Sequence, residues 1–271
     1  MNLKNIDSHF RFGDNWQSYA KIVDEDRIAE ALKGLEKLIP ADGLKAKQFL
    51  DIGCGSGLSM LAALRLGASN VKGVDIDQAS VDTAHALLSH HAPGEQWQVE
   101  QASIFDLDPE CFGLFDVVYS WGVLHHTGDM WSAISKAGAL VKGNGVFIIA
   151  LYHRTPSCNL WRIEKKFYAH TGKWQQWIIR CIYKAAFIAG LLSTGRNPFK
   201  YIPGYKGSRG MNWHHDVHDW LGGYPYESTT QSEIVPSLQN IGFEVVRIFQ
   251  ASTTRTGIFG AGCDEYVFRR K

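Results

Sequence analysis

The chain predicts an α/β fold: a doubly wound, mostly parallel sheet with helices on both faces. Three observations carry this. Between residues 47 and 152, short apolar runs alternate with segments of helical spacing. The first apolar run, Phe49-Leu50-Asp51-Ile52, is followed at once by three alternating glycines, Gly53, Gly55 and Gly57. A second run, Val71 to Val74, closes on the acidic Asp75, eighteen residues after Gly57. Continuous apolar runs are the pattern of strands buried on both faces, and strand–helix alternation implies right-handed crossovers between parallel strands.

Taken in order, residues 16–39 place Ile22, Ile28, Ala31, Leu32, Leu35, Leu38 and Ile39 at helical spacing, and Pro40 with Gly43 ends the run. One helix is expected there, over the ligand end of the sheet. Strands follow at about 48–53, 71–75, 97–101, 115–120 and 145–151, with helices near 57–66, 78–90 and 129–140. After Tyr152 the composition changes: residues 153–228 are rich in Trp, Tyr, His, Lys and Arg. This stretch reads as an insertion of two helices followed by a Gly- and Pro-containing run from Gly195 to Tyr226. A helix near 230–241 and strands at 243–249 and 264–269 close the chain. The expected organisation is therefore a helical cover (1–46), a ligand-binding core (47–152), an inserted lid (153–228) and a closing helix with a strand hairpin (229–271).

Composition narrows the classes of function. The 271 residues suffice for one large domain or a core with a subdomain. Lys and Arg number 28 against 27 Asp and Glu, so no global field attracts nucleic acid or an acidic surface. Five cysteines, Cys54, Cys111, Cys158, Cys181 and Cys263, form no Cys-x-x-Cys pair, which suits free thiols in a reducing cytoplasm and not a cysteine-built zinc site. The first residues lack the continuous apolar segment of a secretory signal. Residues 177–192 are strongly apolar but carry Arg180 and Lys184 and fall short of the roughly 20 apolar residues of a membrane span. They read first as a packed helix, with an interfacial membrane helix as the alternative, and integral membrane association is not expected.

The glycine turn lets the backbone bend sharply and approach a ligand, and a side chain at Gly53 or Gly55 is expected to occupy ligand space. Its spacing differs from the dinucleotide fingerprint, whose third glycine comes three residues after the second. Asp51, just before the glycines, suits a cationic amino-acid group better than a pyrophosphate, and Asp75 can accept hydrogen bonds from two ribose hydroxyls. These features point to a nucleoside-bearing cofactor with a charged amino-acid portion.

Asp51, Gly53, Gly55, Gly57 and Asp75 resemble the motifs of the class I S-adenosylmethionine-dependent methyltransferase superfamily. So do Gln101 to Asp106 after the third strand and Phe115 to His126 at the fourth. The resemblance covers residues 47–152 and implies a Rossmann-like sheet of seven strands, the last two forming an antiparallel hairpin. It also implies S-adenosylmethionine as cofactor and S-adenosylhomocysteine as product. Ile76 and Ile104 would then flank adenine, Ser103 would meet its edge, and Ser120 and Trp121 would lie near the sulfonium. Together with Phe10 to Tyr19, the run from Ser120 to Trp131 is similar to a bacterial subgroup often labelled by likeness to quinone-ring methylases. Arg11, Trp16 and Tyr19 are expected to close over the methionine part.

Methyl transfer from a sulfonium requires mainly that the acceptor be held close and water excluded, with a base where the acceptor is a hydroxyl. His126 is one candidate. The run from Asn212 to Tyr226 offers others, because His214/His218 and His215/Asp219 each stand four residues apart and share a helix face. A substrate-facing role for His214, His215 and His218 is the leading expectation, beside metal binding and a purely structural role. Tyr152, His153 and Arg154 are further acceptor contacts. Arg196, Lys200, Lys206 and Arg209, interleaved with Tyr201 and Tyr205, suit a phosphate or carboxylate, or simply a solvated loop. The function expected is in-line methylation of a small or medium-sized molecule, with no nucleic-acid partner. Two alternatives stand beside it: methylation of a tRNA or protein, and non-methyl chemistry on the same cofactor. The oligomeric state is not encoded in these motifs.

Overall fold

A computed structural model describes residues 9–10, 12–20, 22–40, 43–205, 212–251 and 257–271. Arg11, Lys206 and Arg209 lie outside the described residues. Seven strands form one sheet in the order β3-β2-β1-β4-β5-β7-β6. They are β1 (Gln48–Ile52), β2 (Asn70–Asp75), β3 (Trp97–Gln101), β4 (Phe115–Trp121), β5 (Val141–Tyr152), β6 (Phe243–Phe249) and β7 (Cys263–Arg270). The first five are parallel, and β7 runs antiparallel between β5 and β6. The sheet is thus the mostly parallel, seven-stranded one expected. Strand order reverses between β1 and β4, which opens a crevice at their carboxyl ends.

The central strands carry apolar residues on both sides because both sheet faces are covered. Phe49, Val117, Tyr119 and Ile148 pack on one side with α2 (Glu25–Leu38), α3 (Leu58–Arg65) and α4 (Gln78–His91). Leu50, Val118, Phe147 and Ile149 pack on the other with α6 (Met130–Ala139) and α11 (Gln231–Asn240). A single turn, α5 (Pro109–Phe112), precedes β4.

Two expectations are corrected here. The single helix read over 16–39 is two, α1 (Gly13–Ala20) and α2, because Asp24 caps the second by accepting the Arg27 N–H. The Gly- and Pro-containing run from Gly195 to Tyr226, in which only the histidine cluster was read at helical spacing, contains α9 (Pro198–Gly204) and α10 (Trp213–Gly222), started by Asn197 and Asn212 as N-caps. Proline at the first helical position of α9 is compatible with a helix start, so it did not mark a loop. Before them stand α7 (Cys158–Ala169) and α8 (Lys173–Ser193). Helices α7 to α10 gather on Phe10, Tyr168, Trp213, Val217 and Leu221, a separate apolar cluster above the carboxyl ends of the strands.

Gly57 caps α3 with φ of 78°, and a Cβ there would fall 2.9 Å from that of Ala84 in α4. Gly94 also has positive φ, 84°, but open space around it. Gly57→Val should therefore lower unfolding free energy by about 2–4 kcal/mol, backbone strain and overpacking together. Gly94→Ala should cost about 1 kcal/mol. Urea denaturation followed by circular dichroism checks both, and equal costs would rule out the α3–α4 contact as the reason for glycine at 57.

Candidate functional site

One cavity of about 860 Å³ runs from the glycine turn to the lid helices. Its first part lies over the crevice. There Asp51, Gly53 and Gly55 line it from the β1 turn, Asp75 and Ile76 from the end of β2, and Ser103 and Ile104 from the turn after β3. Trp121 reaches it from β4, and Trp16 and Tyr19 close it from α1.

The turn is held by backbone donors. The Gly53 and Cys54 N–H groups donate to the Val74 carbonyl at 2.8 and 3.1 Å. Asp75 accepts from the Gly55 N–H through Oδ2 (3.0 Å) and from the Asp77 N–H through Oδ1 (2.9 Å). Burial pushes the Asp75 carboxyl up to about 6, against the pull of those two N–H bonds. Asp77 in turn caps α4 and accepts the Gly13 N–H at 2.9 Å, which fastens α1 over this end.

Of the three glycines, Gly53 and Gly55 line the cavity, and the structure gives a further reason for glycine there. A Cβ on Gly53 would meet a Val123 methyl at 2.4 Å, and one on Gly55 would meet the Trp16 indole at 3.0 Å. They make room for protein side chains that wall the cavity. All three have positive φ, the backbone freedom expected of them. Gly57 and Ser120 stand off the cavity wall: Gly57 faces α4, and the buried Ser120 hydroxyl donates to the Ile52 carbonyl at 2.9 Å. Trp121 donates through Nε1 to Glu265 at 2.8 Å.

The second part of the cavity is aromatic. Tyr183, Phe187 and Leu191 of α8 line it, with Tyr201, Tyr205 and Phe259. From α10 come Trp213, Asp216, Val217 and Trp220, a row of one helix face, with Asp219 at its edge. The three histidines of α10 lie on the other side, which corrects their expected position on the acceptor. Each fastens α10 to a different helix. Lys184 of α8 donates to His214 Nδ1 (2.9 Å), Ser18 of α1 donates to His215 Nε2 (3.1 Å), and Tyr168 of α7 donates to His218 Nδ1 (2.7 Å). Burial, then Arg180, lowers His218 to about 4. Spacing had established a shared face but not which way that face points.

His126 does line the cavity. Its Nδ1 donates to the Pro225 carbonyl at 2.7 Å, and burial lowers its pKa to about 3, so the ring is neutral and weakly basic. Tyr152 and Arg196 line the cavity as well, whereas Arg154 pairs outside it with Glu233.

Sequence reading missed the two carboxyls that face the aromatic chamber. Burial raises both Asp216 and Asp219. Asp216 accepts a hydrogen bond from the Tyr205 hydroxyl. Asp219 is held by the Asn15 amide, while its buried Oδ1 has no partner. The available signal was the i, i+3, i+4, i+7 row through Trp213 and Trp220, which carries Asp216 inward with the two tryptophans. Among the described residues, no group of three or more His, Cys, Asp or Glu is arranged to hold a metal ion.

Comparison with known proteins adds the following. Residues 50–147 match the family model of a methyltransferase domain. A ubiquinone biosynthesis O-methyltransferase of Neisseria meningitidis serogroup C is 30% identical over 119 residues, 43% of this chain and 49% of the relative. Its counterpart in Pseudomonas aeruginosa (strain UCBPP-PA14) is 34% identical over 121 residues, 45% of this chain and 51% of the relative. The chain thus spans about half the length of the curated relatives it matches. Among solved structures, the magnesium protoporphyrin IX methyltransferase of Synechocystis PCC 6803 with bound S-adenosylhomocysteine superposes with a TM-score of 0.57 at 18% identity, covering 95% of this chain and 94% of that one. An S-adenosylmethionine dependent methyltransferase of Mesorhizobium loti gives 0.50 at 17% identity, covering 88% and 96%. These two likenesses concern the fold.

Tyr205→Phe should leave the buried Asp216 carboxyl without its donor and lower stability by about 1–3 kcal/mol. Adding Asp216→Leu should recover most of that loss, since removing both partners removes the orphaned group. Thermal and urea denaturation of the single and double variants check this, and a neutral single variant would show that the pair contributes nothing to α10.

Proposed function

Because the core of this chain belongs to the class I S-adenosylmethionine-dependent methyltransferase superfamily, we propose that it methylates a small or medium-sized, largely apolar acceptor held in the aromatic chamber. The observation that carries this is the continuity of the cavity: the crevice with Asp51 and Asp75 and the chamber under α8 and α10 are one continuous space. Its aromatic and apolar lining, from Tyr183, Phe187, Leu191, Trp213 and Trp220, suits a small apolar acceptor. The O-methyltransferase names of the curated relatives support a hydroxyl as the methylated group.

The residues present fit the cofactor. Asp75 lines the crevice as an acceptor for ribose hydroxyls, and Ile76 and Ile104 supply apolar surface for adenine. Asp51, buried at the end of β1, complements an ammonium group. When bound, S-adenosylmethionine supplies an electrophilic methyl group on a sulfonium. The protein's part is to orient the acceptor and to exclude water, which the aromatic walls accomplish.

Asp219 is assigned the acceptor's proton. Asp219 lines the cavity, and its neighbour Asn15 stands one residue from Trp16 at the boundary of crevice and chamber. Burial, and the neighbouring Asp216, raise its affinity for a proton. Neutral, weakly basic His126 is better suited to packing the junction against Phe12 and Tyr152.

Asp75→Ala should weaken S-adenosylhomocysteine binding about 10- to 150-fold, the loss of roughly 1.5–3 kcal/mol of charge-assisted hydrogen bonding. In the wild type the affinity should be full above pH 6 and fall as the pH drops through about 6, because protonation neutralises the accepting carboxylate. The Ala variant should lose that dependence. Calorimetric titration across pH decides both, and an unchanged dissociation constant in a folded variant would remove Asp75 from the site.

Asp219→Asn should lower kcat about 10²–10⁴-fold while leaving S-adenosylhomocysteine affinity intact. A phenol, carboxylate, thiol and amine panel with labelled cofactor first identifies the acceptor. Wild-type turnover in the Asn variant would return the role of base to His126.

A further inference from the structure

Helix α8 is apolar on two opposite faces, and only one of them is used by the fold. Its inner face, through Tyr183, Phe187 and Leu191, walls the chamber. Its outer face presents Trp174, Trp177, Cys181, Ala185, Ala189 and Leu192, a row at steps of three and four residues with no charge in it. Trp174 is 66% exposed, Trp177 61% and Leu192 60%. The row extends about 27 Å at 1.5 Å per residue. The neighbouring helices continue the pattern: Leu160, Ile163 and Phe167 stand exposed at steps of three and four on α7, and Phe199 of α9 is 85% exposed. A contiguous apolar surface of this kind marks a partner or a membrane.

Charge selects between the two. The whole chain is balanced, yet residues 153–205 hold nine Lys or Arg and one acid, Glu164. That acid is partly buried, while Lys166, Lys173 and Lys200 are exposed at the ends of the apolar surface. A second copy docked face to face would bring like charges together, whereas an anionic lipid surface accepts both features at once. Tryptophan side chains settle at the boundary between headgroups and hydrocarbon. Among the described residues, no single helix is long and apolar enough to cross a membrane; α8 and α9 pass such a test only together, as a pair bent by 118°.

We propose that the outer face of α7, α8 and α9 docks in the plane of an anionic lipid surface, apolar row inward and lysines on the headgroups. The chamber behind α8 then opens next to the bilayer, so its acceptor is an amphiphile drawn from that surface. The second statement rests on the methyl transfer proposed above; the docking does not.

Flotation of the full chain with vesicles tests it. The wild type should float with phosphatidylcholine mixed with phosphatidylglycerol, and less with phosphatidylcholine alone. Trp174→Ser/Trp177→Ser and Lys166→Glu/Lys173→Glu variants, with wild-type circular dichroism, should each lose at least about tenfold in partitioning to the mixed vesicles. Absence of wild-type flotation would overturn the proposal. So would undiminished flotation of the tryptophan variant, or a dimer in ultracentrifugation that those substitutions dissolve without vesicle binding. Titration of the same variants with S-adenosylhomocysteine reads the cofactor crevice independently, so loss of docking with intact binding separates the two readings.

Discussion

Two carboxylates at the end of β2 hold the site together. Asp75 takes the Gly55 and Asp77 backbone N–H groups, one on each oxygen, and Asp77 takes those of Ala79 and Gly13. Four segments that are distant in sequence, the β1 turn, the β2 end, the start of α4 and the start of α1, are thereby fixed to two neighbouring side chains. Charge-assisted bonds to backbone donors are stronger than neutral ones, and these lie where water is largely displaced. The geometry of the crevice follows from this knot. It sets where the glycine turn ends, how α1 roofs it, and which way Trp16 faces.

From the crevice outward, order is passed on through packing. Helix α1 reaches α10 by the Asn15 amide, which donates to the His215 carbonyl, and by Ser18 to the His215 ring. Helix α10 is bound in turn to α7 and α8 through His218 and His214. The loop before β7 closes the assembly, with Tyr183 donating to the Phe259 carbonyl and Trp161 to that of Gly257. The histidines that drew notice for their spacing are thus fasteners of the lid. Their lowered proton affinities, caused by burial and neighbouring cations, keep them neutral acceptors for the donors around them.

Much of the core was legible because its constraints are local. Strands buried on both faces need apolar residues on both, so the runs at 49–52, 117–119 and 146–151 announce themselves, and the glycines at 53, 55 and 57 coincide with positive φ. What was not legible depends on relations across space. The row Trp213, Val217 and Trp220 marks one face of α10 for burial, but not what the histidines opposite it meet. The answer lies with Lys184, Ser18 and Tyr168 on other helices. The break between α1 and α2 rests on one cap, Asp24, inside a continuous apolar rhythm. The raised carboxyls of Asp216 and Asp219 are products of burial, which composition does not reveal.

The N-terminal helix carries a consequence for traffic through the cavity. Its Trp16 indole rests against Gly55, its first N–H is held by Asp77, and its Asn15 braces α10. The same eight residues therefore roof one end of the cavity and prop the wall of the other. An outward swing that widens the crevice also slackens the chamber. Departure of a spent cofactor and renewal of the acceptor would accordingly share one hinge, and the two molecules would exchange in concert instead of through separate doors.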